Sequence, residues 1–284
     1  MSRILVTGSS GLLGRHVASN LMEGGHAVTG LDVSAPPEGA CWSHVTGEAG
    51  ELAVVAQLAK GMDALVHIAA IPRPTGRAAA DVFRINMAAM YAAVEAARLC
   101  DVRRFVYASS FSVLGFPFFE TPVVPVYLPI DEAHPIGAQD VYATTKWLGE
   151  ELVESMVRRG AFSAVSLRMP WIQTPETFHA AIGPRRLHAD AARDLWAYLD
   201  ARDAAAAFVA AVERPVTGHA RLFISAADSY MDCASADLIE RAYPGTPIRK
   251  PIDGSAALID TSAAQVQLGF APRHSWRDYP VFEN

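Results

Sequence analysis

The 284-residue chain predicts an α/β fold, a doubly wound parallel sheet with a smaller C-terminal lobe, and three observations carry that prediction. The first is residues 3–16, where an apolar run (Ile4, Leu5, Val6) reads as a buried strand and ends in glycines at Gly8, Gly11 and Gly14. Val17, Ala18, Leu21 and Met22 then recur at helical spacing. The second is Asp32, eighteen residues after Gly14, at the end of a second strand, Ala27–Asp32. The third is the alternation of apolar runs with helical patterns through the first half of the chain, which is how parallel strands joined by crossover helices read.

Strand, glycine turn and helix leave unpaired N–H groups at a helix N-terminus, where a pyrophosphate sits well. Gly8 suits the tight turn, Gly11 close approach of backbone to phosphate, and Gly14 close packing of helix on sheet. Candidate contacts along the turn are Gly8, Ser10, Gly11, Leu12, Leu13 and Gly14. A carboxylate at Asp32 accepts hydrogen bonds from ribose hydroxyls and repels a 2′-phosphate, so NAD is expected over NADP. The plainer alternative is a strand-end Asp that starts a turn.

Further along, His44–Thr46 is expected as a short third strand, followed by Glu48, which reaches the adenine amino group or is a solvated loop acid. A helix is expected over 51–60 and a central strand over Ala64–Ala70. His67, flanked by apolar residues, reads as a core histidine. Ala69 and Ala70 let backbone approach a cofactor at the strand's carboxyl end. Arg73, in the loop Ile71–Pro74, meets an anionic substrate group or faces water. The helix Ala78–Leu99 carries Asn86, a modest helix former. It fixes a water or a lysine backbone beside a nicotinamide, or lines the helix surface.

Arg104–Ala108 reads as another strand, running into Ser109-Ser110-Phe111-Ser112-Val113-Leu114-Gly115. Tyr142 and Lys146 open a later helix and share one face, four residues apart. An adjacent ammonium is expected to lower the phenol's pKa, so that Tyr142 exchanges a proton with a substrate hydroxyl while Ser110 orients the same oxygen. In isolation a Tyr and Lys at this spacing are commonly a solvated pair.

With these pieces in place the sequence resembles the short-chain dehydrogenase/reductases, and most closely their extended branch, the NAD-dependent epimerase/dehydratase family. The resemblance rests on Thr7–Gly14, Asp32, Asp63 with His67–Ala70, Ser109–Gly115, Tyr142–Lys146, Leu167–Pro170 and Tyr198–Ala205, and covers most of residues 1–210. It implies a Rossmann sheet, NAD as cofactor, and Ser110, Tyr142 and Lys146 as the catalytic triad, with Lys146 also on the nicotinamide ribose. It implies that Asn86 supports the active-site helix beside the cofactor and that backbone after Pro170 meets the carboxamide. Asp203 is structural by the same comparison. Phe111-Ser112 stand where family dehydratases carry an Asp-Glu pair, which argues against sugar 4,6-dehydration. Leu114 stands where many epimerases have Tyr.

The domain boundaries expected are a Rossmann domain at 1–170, with 197–227 returning to it, and a substrate lobe from 171–196 and 228–284. Leu222–Ala226 reads as the last strand of the main sheet. Phe111, Ser112, Arg73 and Trp171 are candidate substrate contacts. Trp171, Phe178, Trp196 and Tyr198 line a pocket or belong to core. Arg185-Arg186, in an expected loop after Gly183-Pro184, receive a phosphate or carboxylate or form a solvated basic face. The tail, 276–284, is expected to pack on the lobe.

Hydrophobic residues at 51% and charged residues at 19% describe an ordinary globular protein, and a net charge of −6 argues against nucleic acid or an anionic membrane as partner. No stretch approaches a membrane span, and the first residues enter a strand without a basic leader segment. Cys41, Cys100 and Cys233 are far apart and suit a reducing cytoplasm. The nine histidines form no metal-ligand pattern, so no metal is expected. The function expected is hydride transfer at a secondary alcohol of a sugar or nucleotide sugar, in a homodimer. The alternative is a regulator that senses NAD(P) without chemistry.

Overall fold

The computed structural model describes residues 1–188 and 191–279. Strands β1 (Arg3–Thr7), β2 (Ala27–Asp32), β3 (Ser43–Thr46), β4 (Ala64–His67), β5 (Arg104–Ser110) and β6 (Ser163–Met169) alternate with helices. These are α1 (Leu12–Glu23), α2 (Leu52–Ala59), α3 (Ala79–Leu99) and α4 (Val141–Arg158). After them come β7 (Trp171–Gln173), α5 (Pro175–Arg186), β8 (Tyr198–Asp200), α6 (Ala201–Glu213), β9 (His219–Phe223), α7 (Ser235–Ala242) and α8 (Ser262–Leu268).

Seven strands form one parallel sheet in the order β3-β2-β1-β4-β5-β6-β9, and β7 and β8 form a small parallel pair. Both faces of the large sheet are covered, which is why β1 is apolar at consecutive positions instead of alternating. Ile4 and Val6 pack with Val17, Ala18 and Leu21 of α1 and Phe208 of α6. Leu5 points the other way, to Val55 of α2, Met90 and Ala93 of α3 and Val153 of α4. Strand order reverses between β1 and β4, and the crevice at the carboxyl ends of those two strands is where this architecture binds ligands.

Several boundaries differ from expectation. The strand expected over Ala64–Ala70 ends at His67, because the N–H groups of Ile68 and Ala69 both donate to Thr7 O at 3.1 Å and the chain there leaves the ladder. The last strand is His219–Phe223, shifted toward the N-terminus of Leu222–Ala226. Arg185 and Arg186 end helix α5, with Pro184 inside it, so they are not in a loop. Burial of Phe178 and Ile182 on that helix holds it through Gly183-Pro184.

A second hydrophobic core lies beyond the sheet's carboxyl edge. Phe178, Trp196 and Tyr198 are part of it, together with Tyr230, Trp276 and Tyr279, whereas Trp171 is 45% exposed. It also takes in Phe111, Leu114, Phe116, Leu128 and Ile130, from a segment that the sequence reading left with the first domain. Isolated bridges Leu128↔Ile248 and Ile130↔Ile259 tie that segment to the C-terminal part of the chain. Trp276 and Tyr279 of the tail pack as expected, while 280–284 lie outside the described residues. Asp203 accepts from Arg273 N and His274 N, both at 2.9 Å, and so fastens α6 to the same tail.

Candidate active site

The glycine turn sits at the reversal of strand order. Gly8 has φ +78°, and a Cβ there would lie 2.6 Å from Ala69 N, so only glycine lets the turn touch the chain leaving β4. A Cβ on Gly14 would lie 1.8 Å from Gly8 O, so the first turn of α1 can approach the loop only with glycine there. Gly11 caps α1 without a side chain, and the first turn carries no acid. The N–H groups of Leu12, Leu13 and Gly14 therefore have no helical acceptor, and the positive end of the helix is left for an anion.

Beside this cradle, the carboxylate of Asp32 accepts from Ser10 N at 3.0 Å and Ser34 N at 2.9 Å, one bond to each oxygen. Lone pairs remain on both oxygens for further donors. Ala69 and Ala70 stand across the crevice, half-buried, and Pro170 is buried between β6 and β7. Helix end, glycine turn and acid fit the pyrophosphate and adenosine ribose of a dinucleotide. Glu48 is exposed in the loop after β3.

The catalytic candidates converge from two elements. Asp140 caps α4 by accepting from Ala143 N at 2.9 Å, which starts the helix so that Tyr142 falls in its first turn and Lys146 one turn on. Ser110 ends β5, its hydroxyl accepting from Ser112 N at 3.1 Å. Lys146 Nζ donates to Ala108 O at 2.7 Å, and lies 5.6 Å from the centre of the Tyr142 ring and 5.1 Å from that of Tyr107. Asn86, 5% exposed, spends its amide on the backbone of Ile71 (2.7 and 3.2 Å) and on Thr145 Oγ1 at 3.1 Å. Thr145 in turn donates to Tyr142 O at 2.8 Å, so Asn86 joins the loop after β4 to helix α4.

The electrostatics differ from the expectation that Lys146 lowers the phenol. Burial pushes Tyr142 up to about 12, opposed by a hydrogen bond with Ser110, and burial pushes Lys146 down to about 7. Lys146 is buried and Tyr142 half-buried, burial disfavours whichever form carries charge, and the Lys146 ammonium is turned to a carbonyl instead of the phenol. His67 is the core residue the sequence suggests. It shares a 2.8 Å hydrogen bond with Thr7 Oγ1 and stacks on Tyr107, and burial together with the Lys146 charge pushes it down to about 3.

The substrate candidates are not brought together. Arg73 and Trp171 are exposed. Phe111 is buried against Phe116, and the Ser112 hydroxyl is buried without a partner among the described residues. Residues that sequence reasoning missed include Phe118, whose ring meets Tyr142 edge-on at 6.5 Å. Ser109, Glu150 and Arg168 were also missed and form a buried polar cluster beneath the site. Phe118 gives no signal in a run of aromatics and prolines. Glu150 does give one, since it continues the four-residue stripe of Tyr142 and Lys146.

The parallel sheet, the glycine turn at its reversal of strand order and the Ser110, Tyr142 and Lys146 constellation together define a Rossmann fold of the short-chain dehydrogenase/reductase type. The chain belongs to the NAD dependent epimerase/dehydratase family, whose model matches residues 4–224. It is 30% identical to mouse UDP-glucose 4-epimerase over 193 residues, 59% of this chain and 53% of that protein. It is 28% identical to L-arabinose 1-dehydrogenase (NAD(P)(+)) of Haloferax volcanii over 202 residues, 69% of this chain and 77% of that one. With uronate dehydrogenase of Pseudomonas putida the identity is 27% over 170 residues, 59% of this chain and 60% of the relative. The chain spans about half the length of the curated UDP-glucose 4-epimerases it matches. Among solved structures, a short-chain dehydrogenase/reductase superfamily protein from Agrobacterium tumefaciens with bound NAD superposes with a TM-score of 0.73 at 26% identity, over 97% of this chain and 94% of that one. UDP-glucose 4-epimerase from Bifidobacterium longum, in complex with NAD+ and UDP, shares the fold at TM-score 0.74 and 20% identity, covering 98% and 96%.

Proposed function

We propose that the protein uses NAD to move hydride at a secondary alcohol or ketone of a sugar-like substrate, as a sugar dehydrogenase or a nucleotide-sugar epimerase. The observation that carries this reading is the convergence of Ser110, Tyr142 and Lys146 at the carboxyl edge of β5, next to a glycine cradle that fits a dinucleotide. Bound NAD supplies the hydride acceptor and, when oxidised, a positive ring. The chain's own residues do the rest. Ser110 holds the substrate oxygen, and Tyr142 takes its proton in oxidation or returns one in reduction. Lys146, anchored on Ala108 O, would hold the cofactor's ribose. Asp32 receives the adenosine ribose and disfavours a 2′-phosphate. Dehydrogenase and epimerase share these steps and differ in whether the keto intermediate leaves.

Retention of all three polar groups weighs against a regulator that only senses NAD(P). The second core, with segment 111–130 added to the described residues of 171–196 and 228–279, serves as the substrate lobe. Phe83 and Tyr91 of α3 and Trp147 of α4 are exposed apolar residues on two packed helices, which supports a homodimer through that face. Three free cysteines support a reducing compartment such as the cytoplasm.

The test is a panel of free sugars, sugar acids and UDP-sugars with NAD, read by reduced-nicotinamide absorbance and by chromatography for epimers. Turnover of a panel member is expected, with Tyr142→Phe about 10²- to 10⁴-fold slower and NADH binding retained. Equal turnover by Tyr142→Phe would refute the role given to the phenol. Light scattering that shows a monomer would refute the dimer.

A further inference from the structure

Beneath the catalytic groups lies a carboxylate that the proton chemistry does not use. Glu150 is fully buried, on the helix face of Tyr142 and Lys146 and one turn beyond the lysine. Its Oε1 accepts from Ser109 Oγ at 2.6 Å and from Arg168 Nε at 2.9 Å, and its Oε2 accepts from Arg168 Nη2 at 2.7 Å. Ser109 and Arg168 are 4% and 3% exposed and face each other in the register of β5 and β6. Arg221 of β9 adds a nitrogen at 3.5 Å from Oε2. Close contact at this point requires a glycine on the helix, since a Cβ on Gly149 would lie 2.4 Å from Tyr107 Oη.

Both hydrogen-bond partners of Glu150 lie close in sequence to a working part of the site. Ser109 precedes Ser110, Lys146 is bonded to Ala108 O on the same strand, and Arg168 lies two residues before Pro170. A buried ion pair is a poor source of stability, because desolvation offsets the attraction and apolar side chains of like volume serve as well. What a buried carboxylate held bidentately by Arg168 and bonded to Ser109 adds is fixed geometry.

We propose that Ser109, Glu150 and Arg168 form a positioning clamp that sets the strand end of Ser110 against the helix of Tyr142 and Lys146. The clamp rests on the catalytic reading above, and its test separates the two. Ser109→Ala removes the strand-to-helix bond and leaves the ion pair. On any substrate the wild type turns over, kcat of Ser109→Ala is expected to fall about tenfold or more, since small misplacements of reacting groups are costly. KM and the NADH dissociation constant stay within about twofold of wild type, as expected when only transition-state geometry is lost.

Hydrogen exchange followed by mass spectrometry supplies a readout independent of turnover. Amides of 108–112 and 142–146 are expected to exchange at least about fivefold faster, while those of β1, β2 and α1 keep wild-type rates, because the loosening is local. Unchanged exchange, or acceleration spread through the whole sheet, overturns the clamp, as does unchanged kcat. A wild type that turns over nothing in the panel defeats the catalytic reading alone, and the exchange pattern still decides the clamp.

Discussion

His67 makes the acid limit of this fold calculable. The imidazole is 2% exposed, bonded to Thr7 and stacked on Tyr107, and burial pushes its pKa down to about 3. An unfolded histidine titrates near about 6.5. Below that value the unfolded chain takes up a proton that the folded chain refuses, so stability is complete above about pH 6.5 and is lost as pH falls toward about 3. At pH 5 the difference is about 1.5 pH units, or about 2 kcal/mol, and no discount for solvent screening applies to a group this enclosed. Urea unfolding of the wild type and of His67→Gln at pH 7 and pH 5 isolates the residue. The amide can still bond Thr7 but cannot titrate, so the loss between the two pH values should be about 2 kcal/mol smaller in the variant. Other titrating groups, such as His16 and His219, act equally in both proteins and cancel. If the two losses agree to within a few tenths of a kcal/mol, or if the ring of folded His67 titrates near its ordinary value by NMR, the reasoning fails.

Two further outcomes follow from contacts described above. Gly14→Ala would set a methyl group 1.8 Å from Gly8 O, so the turn must open; NADH binding, followed by quenching of tryptophan fluorescence, should weaken at least about tenfold, and wild-type affinity would refute the cradle. Arg168→Leu strands the buried Glu150 carboxylate and should cost about 3–5 kcal/mol in urea unfolding, much of it recovered when Glu150→Leu is added. A single variant as stable as wild type would contradict the pairing.

The parts of the fold that depend on short stretches of chain were legible from sequence. Strand β1, the glycine turn and α1 could be placed because the apolar run, the glycines and the 3.6-residue pattern are adjacent. The same holds for α2 and α3, whose ends fall within about two residues of expectation. What escaped were features decided by contacts distant in sequence. Strand β4 stops at His67 because Thr7 O collects the next two N–H groups, which nothing in Ile68-Ala69 signals. Helix α5 persists through Gly183-Pro184 because Phe178 and Ile182 are buried in the second core, so tertiary packing outweighs local propensity. Residues 111–130 join that core through bridges to Ile248 and Ile259, more than a hundred residues away.

The site divides along the same line. Tyr142 and Lys146 share a helix face by spacing alone, and Ser110 at the end of a parallel strand is placed by topology, so their rough position could be read. Charge state could not, because it depends on what encloses each group. Sequence spacing suggests an ammonium aimed at a phenol; the structure turns that ammonium to Ala108 O and sets the half-buried phenol ring edge-on to Phe118. With Tyr142 at about 12, ionising it at pH 7 costs about 7 kcal/mol, of which the Ser110 hydrogen bond has already been counted. The chain by itself therefore holds the phenol as an acid, the form required to protonate a ketone's oxygen. Ionising the phenol requires that balance to be reversed, and Lys146, pushed down to about 7 by burial and bonded to Ala108 O, is only partly charged at neutral pH. Burial favours the uncharged form of both Tyr142 and Lys146, so a charge that arrives with a ligand would move that balance.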